Sequence, residues 1–307
     1  IKTFVALLLL CVTVLTSSAQ DKERFTGALL WKVSGNRLTE PSYILGTHHL
    51  VNISFTDSIA GFKYAMDNTR QVVGELDMSD MQDMQEKMVQ TAMMPEGESY
   101  TTLLSPEDYI RLDKSLKAFF GTGLDQMSIL KPGMISVMYA MVLHTKYNPS
   151  FNPQTHEAID RYVQRIARTN EKPVLGLETV DDQIESLFSA DPLKTQAESL
   201  ICQMEYELEH GKESMEQLDI FHKLYHAGQI WELYDFSFNN PKEPCPMSQA
   251  MKTSILKKRN DEWLKKLPGI MKDKSSLIAV GALHLVGEEG LLYQLEQMGC
   301  TIEAVKQ

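Results

Sequence analysis

Two histidines and two glutamates follow short apolar runs in the same way. Tyr43-Ile44-Leu45 leads into Gly46-Thr47-His48-His49, and Val72-Val73 leads into Gly74-Glu75. Val174-Leu175 leads into Gly176-Leu177-Glu178, and Ile278-Ala279-Val280 into Gly281-Ala282-Leu283-His284. Runs of this kind read as buried strands. A glycine at a strand end lets the backbone turn sharply and leaves room for a ligand. In a parallel sheet, ligand sites form outside the carboxyl ends of the strands. Two imidazoles and two carboxylates delivered to one such edge are the inventory of a divalent-metal site with hard or borderline ligands. One Gly-x-x-His alone carries no weight, and a glutamate after a strand is often just solvated. Four runs with one grammar carry more. There is also an internal echo, since Gly46 to Leu50 and Gly281 to Leu285 both read Gly-x-x-His-Leu.

Other candidates read as structural. His222 and His226 have the spacing of a helical metal pair, but Lys223 stands where a His-Glu-x-x-His motif needs glutamate, so a solvated helix face is expected. His144, His156 and His210 stand alone and read as surface or cap residues. Met78, Met81, Met84 and Met88, with Met93 and Met94, form a stripe at helical spacing. The stripe suits core packing, or the flexible wall of a peptide groove. No Gly-x-Ser-x-Gly or phosphate-binding glycine loop is present, which argues against serine hydrolases and nucleotide enzymes. The net charge of −11 and a pI near 5.3, with no stripe of Lys and Arg, argue against nucleic acid as a partner.

Strand-like runs at 28–33, 43–45, 71–73, 174–175, 277–280 and 301–305 alternate with helical periodicity over 57–68, 79–92, 105–120, 132–147, 156–169, 192–211, 213–227, 247–266 and 287–298. This predicts an α/β fold, with a mainly parallel central sheet and helices on both faces. The blocks 79–155 and 190–266 are too long for simple crossovers and read as an inserted helical layer or cap within a single domain over 20–307. Ahead of it, residues 1–19 read as a secretory signal. Lys2 is followed by the apolar run Phe4–Leu15 and by Ser17-Ser18-Ala19 at the cleavage positions, so the mature chain is expected to begin near Gln20. Leu10 before Cys11 is too bulky for a lipid-attachment site. That run is too short for a permanent span, and no other apolar run approaches spanning length. A periplasmic or extracellular protein is therefore expected. Cys202, Cys245 and Cys300 remain after cleavage. Export favours a bridge between Cys202 and Cys245, which share one helix-rich stretch, and leaves Cys300 as a buried thiol.

As an ordered set, these motifs resemble the TraB/GumN/TIKI family, which includes bacterial pheromone-shutdown and polysaccharide-cluster proteins and the animal Wnt-inactivating proteases. The resemblance runs from about Leu29 to Val305. Leu30-Trp31-Lys32-Val33 and Tyr43 to His49 look like the family's opening strand pair and first Gly-x-x-His, and Val72 to Leu76 like its acidic strand. Ala158-Ile159-Asp160 and Gly176-Leu177-Glu178-Thr179 resemble its central elements. Arg259-Asn260-Asp261-Glu262-Trp263 resembles its Arg-Asn-x-x-Trp helix, and Val280 to Gly287 its second Gly-x-x-His. His48 departs from the pattern, because the family more often has an apolar residue there.

The resemblance implies an exported metal-dependent hydrolase of peptide or related amide bonds, with Mn, Co or Zn as the activating ion. His49, Glu75 and His284 are the expected ligands, and Glu178 the general base or a fourth ligand, with the two glutamates interchangeable. Arg259 would stabilise the oxyanion, or else form a structural salt bridge to Asp160 or to a strand-end acid. Two alternatives stay open: a module that sequesters a peptide without cutting it, and a metal-free esterase with histidine as base, as in the distantly similar erythromycin esterases.

Overall fold

The computed structural model describes residues 22, 24–79 and 81–306, without the side chains of 81–83. The signal expected at 1–19 lies outside the described residues. Strands β1 (Leu30–Gly35) and β2 (Ser42–Thr47) are followed by a 3-10 turn (Ile53–Ser58), helix α1 (Phe62–Asn68) and strand β3 (Gln71–Gly74). Six helices lead to β4 (Val174–Gly176): α2 (Met81–Ala92), α3 (Tyr100–Leu103), α4 (Pro106–Phe120), α5 (Leu124–Met127), α6 (Pro132–Tyr147) and α7 (Ile159–Thr169). Between β4 and β5 (Ser276–Gly281) come α8 (Val180–Phe188), α9 (Leu193–His226), α10 (Ile230–Phe238) and one long helical run. That run comprises α11 (Gln249–Lys252), a π segment (Thr253–Lys258) and α12 (Arg259–Asp273). A 3-10 turn (Ala282–His284), α13 (Leu291–Gln297) and β6 (Cys300–Ala304) follow.

The strands form one six-stranded sheet in the order β4-β3-β5-β2-β1-β6. β2, β5, β3 and β4 pair in parallel, whereas β1 is antiparallel to both β2 and β6. The α/β fold is therefore as the alternation predicts, with an antiparallel flank. Because β2 to β5 all point the same way, the segments carrying His49, Glu75, Glu178 and His284 leave the sheet at one edge. Gly46 shows how tightly they pack. A Cβ there would lie 2.9 Å from Leu285 Cδ1 and 3.1 Å from Ala282 Cα. The two echoing Gly-x-x-His turns thus lie against each other.

The apolar core consists of the sheet, α7, α12 and α13 residues such as Ile44, Val72, Val163, Trp263, Ile278 and Leu291. A second apolar cluster lies within the helical layer, where Leu112, Leu116, Ile135, Leu200 and Met204 join α4, α6 and α9. Local signals account for most helix limits. Ser105 accepts from Asp108 N (3.1 Å), Pro106 opens α4, and Gly121 ends it in the left-handed region at φ 72°. The pair expected at 192–211 and 213–227 is one helix interrupted at His210, whose φ of −131° is not helical. α12 runs past the expected end at 266 and through Pro268, because Leu267 and Met271 continue its buried face. α8 is an addition to the expected elements, and Thr179 with Asp182 forms a capping box at its start.

Cys202 and Cys245 are bridged, tying α9 to the loop before α11, and Cys300 is a buried free thiol. The bridge closes a loop across a sequence separation of 43. Replacing both cysteines by alanine is expected to lower urea-unfolding stability by about 2–4 kcal/mol. A loss no larger than the extrapolation scatter would show that the helical layer is held without it. Among the described residues, no helix is long and apolar enough to cross a membrane.

Candidate active site

Arg259, at the start of α12, is the hub of the sheet edge. Its Nη2 donates to Glu75 Oε2 at 2.5 Å and to Glu178 Oε1 at 2.6 Å. Nε donates to the Glu178 carboxylate at 3.0 Å, and Nη1 lies 3.2 Å from His284 Nε2 and 3.5 Å from the Ile255 carbonyl. All five N–H groups of the guanidinium thus have partners. All three side chains of the ion-pair network are buried. The Arg-Asn-x-x-Trp motif supplies the neighbours. Asn260 accepts from His284 Nδ1 at 2.7 Å and donates to the carbonyls of His284 and Glu289. Trp263, one turn on, donates to Glu178 Oε2 at 3.1 Å and packs its ring against His284. Gln183 of α8 spans the two carboxylates, at 3.3 Å from Glu75 and 3.2 Å from Glu178.

Asp160 does not pair with Arg259, correcting one of the two salt-bridge options. It is buried at the start of α7, accepts from Thr47 Oγ1 at 2.5 Å, and accepts from His49 Nδ1 at 2.9 Å. His156 donates to the His49 carbonyl at 2.6 Å. The His49 side chain is 61% exposed, so this imidazole faces solvent while its partner does not. The adjacent His48 turns the other way, into an edge-on cluster with Phe221, His222 and Tyr225. The structure therefore gives the two neighbours different surroundings, His49 beside Asp160 and His48 among aromatic rings. His144 lies within the helical layer, one of the two places expected for it, and is buried with its ring against Phe151 and His222, so His222 is not on a purely solvated face. Packing between α6 and α9 decides this, which helical spacing alone does not show.

Electrostatics divide the groups. The Asp160 charge and hydrogen bond raise the His49 imidazole to about 9. Burial pulls His284 down to about 3, despite the opposing charge of Glu75. For Glu75, burial pushes upward but is outweighed by Arg259, His284, His49 and the Gly281 N–H, which hold the carboxyl down at about 2. Glu178 moves the other way, because burial there exceeds the pull of Arg259.

A family model matches residues 29–304, nearly the whole chain. The chain belongs to the TraB/PrgY/gumN family. No curated protein and no solved structure matches it. The TraB motifs named from the sequence are those that meet here. Arg259 Nη1 against His284 Nε2 and Nη2 against Glu75 place a guanidinium among the donors expected to bind a metal. In this arrangement the described residues present no set of three His, Cys, Asp or Glu groups positioned to hold a metal ion. As placed, His49 is held by Asp160, Glu75 by Arg259 and Gly281, and His284 by Asn260 and Arg259.

Proposed function

We propose that this TraB-family protein hydrolyses peptide or related amide bonds at the edge formed by His49, Glu75, Glu178, Arg259 and His284. The observation that carries this reading is the meeting of these groups from four strand ends and one helix, with the His49 imidazole raised and the Glu75 carboxyl lowered. Such opposite shifts leave a protonated acid and an ionised base at one edge, as in hydrolytic sites. Export, inferred from the sequence and compatible with the disulfide, gives an extracytoplasmic substrate.

Roles follow from acceptor capacity. Glu178 receives from Arg259, Trp263 and Gln183 on both oxygens and so anchors the guanidinium. Glu75 Oε1 receives the Gly281 N–H at 2.8 Å and keeps a lone pair for a water molecule. In the proposed reaction, water attacks the carbonyl carbon while Glu75 takes its proton. The His49 imidazolium gives a proton to the departing nitrogen, and Glu75 then returns its proton to His49. Arg259, with every donor committed, is a positioning residue. Hydrolysis in water labelled with heavy oxygen tests this on a diverse peptide mixture. Each new carboxyl group should carry one labelled oxygen in the mass spectrum; intact peptides throughout would favour sequestration instead.

A divalent centre of His49, Glu75 and His284 is a second reading, favoured by one observation. Both imidazoles are fixed through Nδ1, the arrangement that orients ligating histidines for metal binding at Nε2. It requires Arg259 to withdraw from Glu75 and His284. Stoichiometric Mn, Co or Zn in purified protein, with cleavage abolished by chelator, would select this reading.

A further inference from the structure

A cleft of about 700 Å³ opens between α6, α9 and the 247–255 segment. One stripe of α6, with Val137, Ala140 and His144, lines it together with α9 residues on both sides of the break at His210. The space meets the catalytic edge through Leu50, next to His49, and through Ile255, whose carbonyl contacts Arg259. Its walls are mostly apolar, and its size suits a small organic ligand.

Three imidazoles line the cleft: His48, His144 and His222. The His222 ring lies 5.8 Å from that of His48 and 5.6 Å from that of His144, edge-on to both. Hydrogen bonding assigns the protons of the outer two. The Leu50 N–H donates to His48 Nδ1 at 3.0 Å, so this nitrogen carries no proton. The Asn148 amide nitrogen donates to the His144 carbonyl at 2.9 Å and lies 3.4 Å from His144 Nδ1, which accepts as well. An imidazole that accepts through Nδ1 is neutral and has its N–H at Nε2. His49 and His284 are the reverse, since both donate through Nδ1. The Nε2–H groups of His48 and His144 meet no acceptor among the described residues, yet both keep accessible surface in the cleft.

Two unused donors in an apolar space favour an acceptor. Asp191, Glu207 and Glu243 line the cleft and no lysine or arginine among the described residues does, which opposes an anion. An ammonium brings donors of its own, and a metal ion needs the lone pair that a protonated Nε2 lacks.

We propose that the cleft binds an uncharged, largely apolar molecule through an oxygen acceptor of the carbonyl class, held by the Nε2–H groups of His48 and His144. This binding requires no bond to be broken and stands apart from the hydrolase reading.

Acetophenone, its methylene isostere α-methylstyrene, benzoate and benzylammonium share one ring and separate the effects of acceptor, shape and charge. Ligand-observed NMR titration of the full chain at neutral pH should show acetophenone bound about tenfold or more tightly than either ion. A double variant, His48→Phe with His144→Phe, keeps both rings and removes both donors. In it acetophenone should weaken about three- to tenfold, the worth of one hydrogen bond, with α-methylstyrene within about twofold of its wild-type affinity. Unchanged acetophenone affinity in the variant overturns the proposal. Equal losses for the ketone and its isostere would assign the effect to cleft shape and overturn it too. If either ion binds the wild type as tightly as acetophenone, or acetophenone does not bind, the proposal falls without any variant. Peptide cleavage enters none of these readouts, so failure of one reading leaves the other standing.

Discussion

Arg259→Met is expected to destabilise the fold by about 3–5 kcal/mol, the usual result of removing one partner from a buried ion pair and leaving the other charge uncompensated. Here two carboxylates are stranded, Glu75 and Glu178, both buried beside the guanidinium. The sign with pH distinguishes this from lost packing. In the wild type, Glu75 is held at about 2, below its unfolded value. It therefore contributes stability above the ordinary carboxylate range and loses it as pH falls through about 2. Without Arg259, burial raises Glu178, already raised in the wild type, still further, and lifts Glu75 from its depressed position. They then oppose folding at neutral pH and stop doing so once protonated. Urea unfolding should show the gap between variant and wild type narrowing as pH drops towards the carboxylate range. A constant gap would mean that methionine merely packs badly.

Asp160→Asn is expected to lower kcat/KM by about 10²–10⁴-fold, the range of positioned acid–base groups and of the carboxylate that orients a catalytic histidine. The first two causes raising His49 are the Asp160 charge and the hydrogen bond from His49 Nδ1 to it. Removing the charge should move the alkaline limb of the pH–rate profile down from about 9 towards the ordinary histidine value of about 6.5. Stability follows the same sign. A histidine raised on folding contributes fully below its unfolded value and loses that contribution as pH rises through about 9. With His49 largely exposed, solvent screening keeps the energetic part small, so the rate profile is the informative readout. An alkaline limb unchanged in the variant would remove His49 as the acid.

The strand-end groups were legible because glycine and a change of periodicity mark where a buried strand stops. That signal gives the edge at which His49, Glu75, Glu178 and His284 emerge, and the parallel pairing of β2 to β5 follows from the intervening helices. The partners were not legible. Asp160 meets His49 and not Arg259 because of how α7 packs on the sheet, and Arg259 reaches three side chains from the start of α12. Trp263 had a readable clue, since it lies four positions after Arg259 on the same helix face, whereas Asn260, one position on, had none from spacing. The run past Pro268 and the burial of His144 are tertiary effects, in which apolar neighbours override the local preferences of proline and histidine.

The central claim is that this cluster breaks amide bonds, and Glu75→Gln tests it most directly. Glutamine preserves the shape and can still accept from Gly281, but it cannot take a proton from water. Cleavage of the labelled-water peptide mixture by the wild type, with a loss of about 10²–10⁴-fold in a folded Glu75→Gln variant, is the result this account predicts. Cleavage by the variant at the wild-type rate, or no cleavage by the wild type with or without added divalent metal, would contradict it.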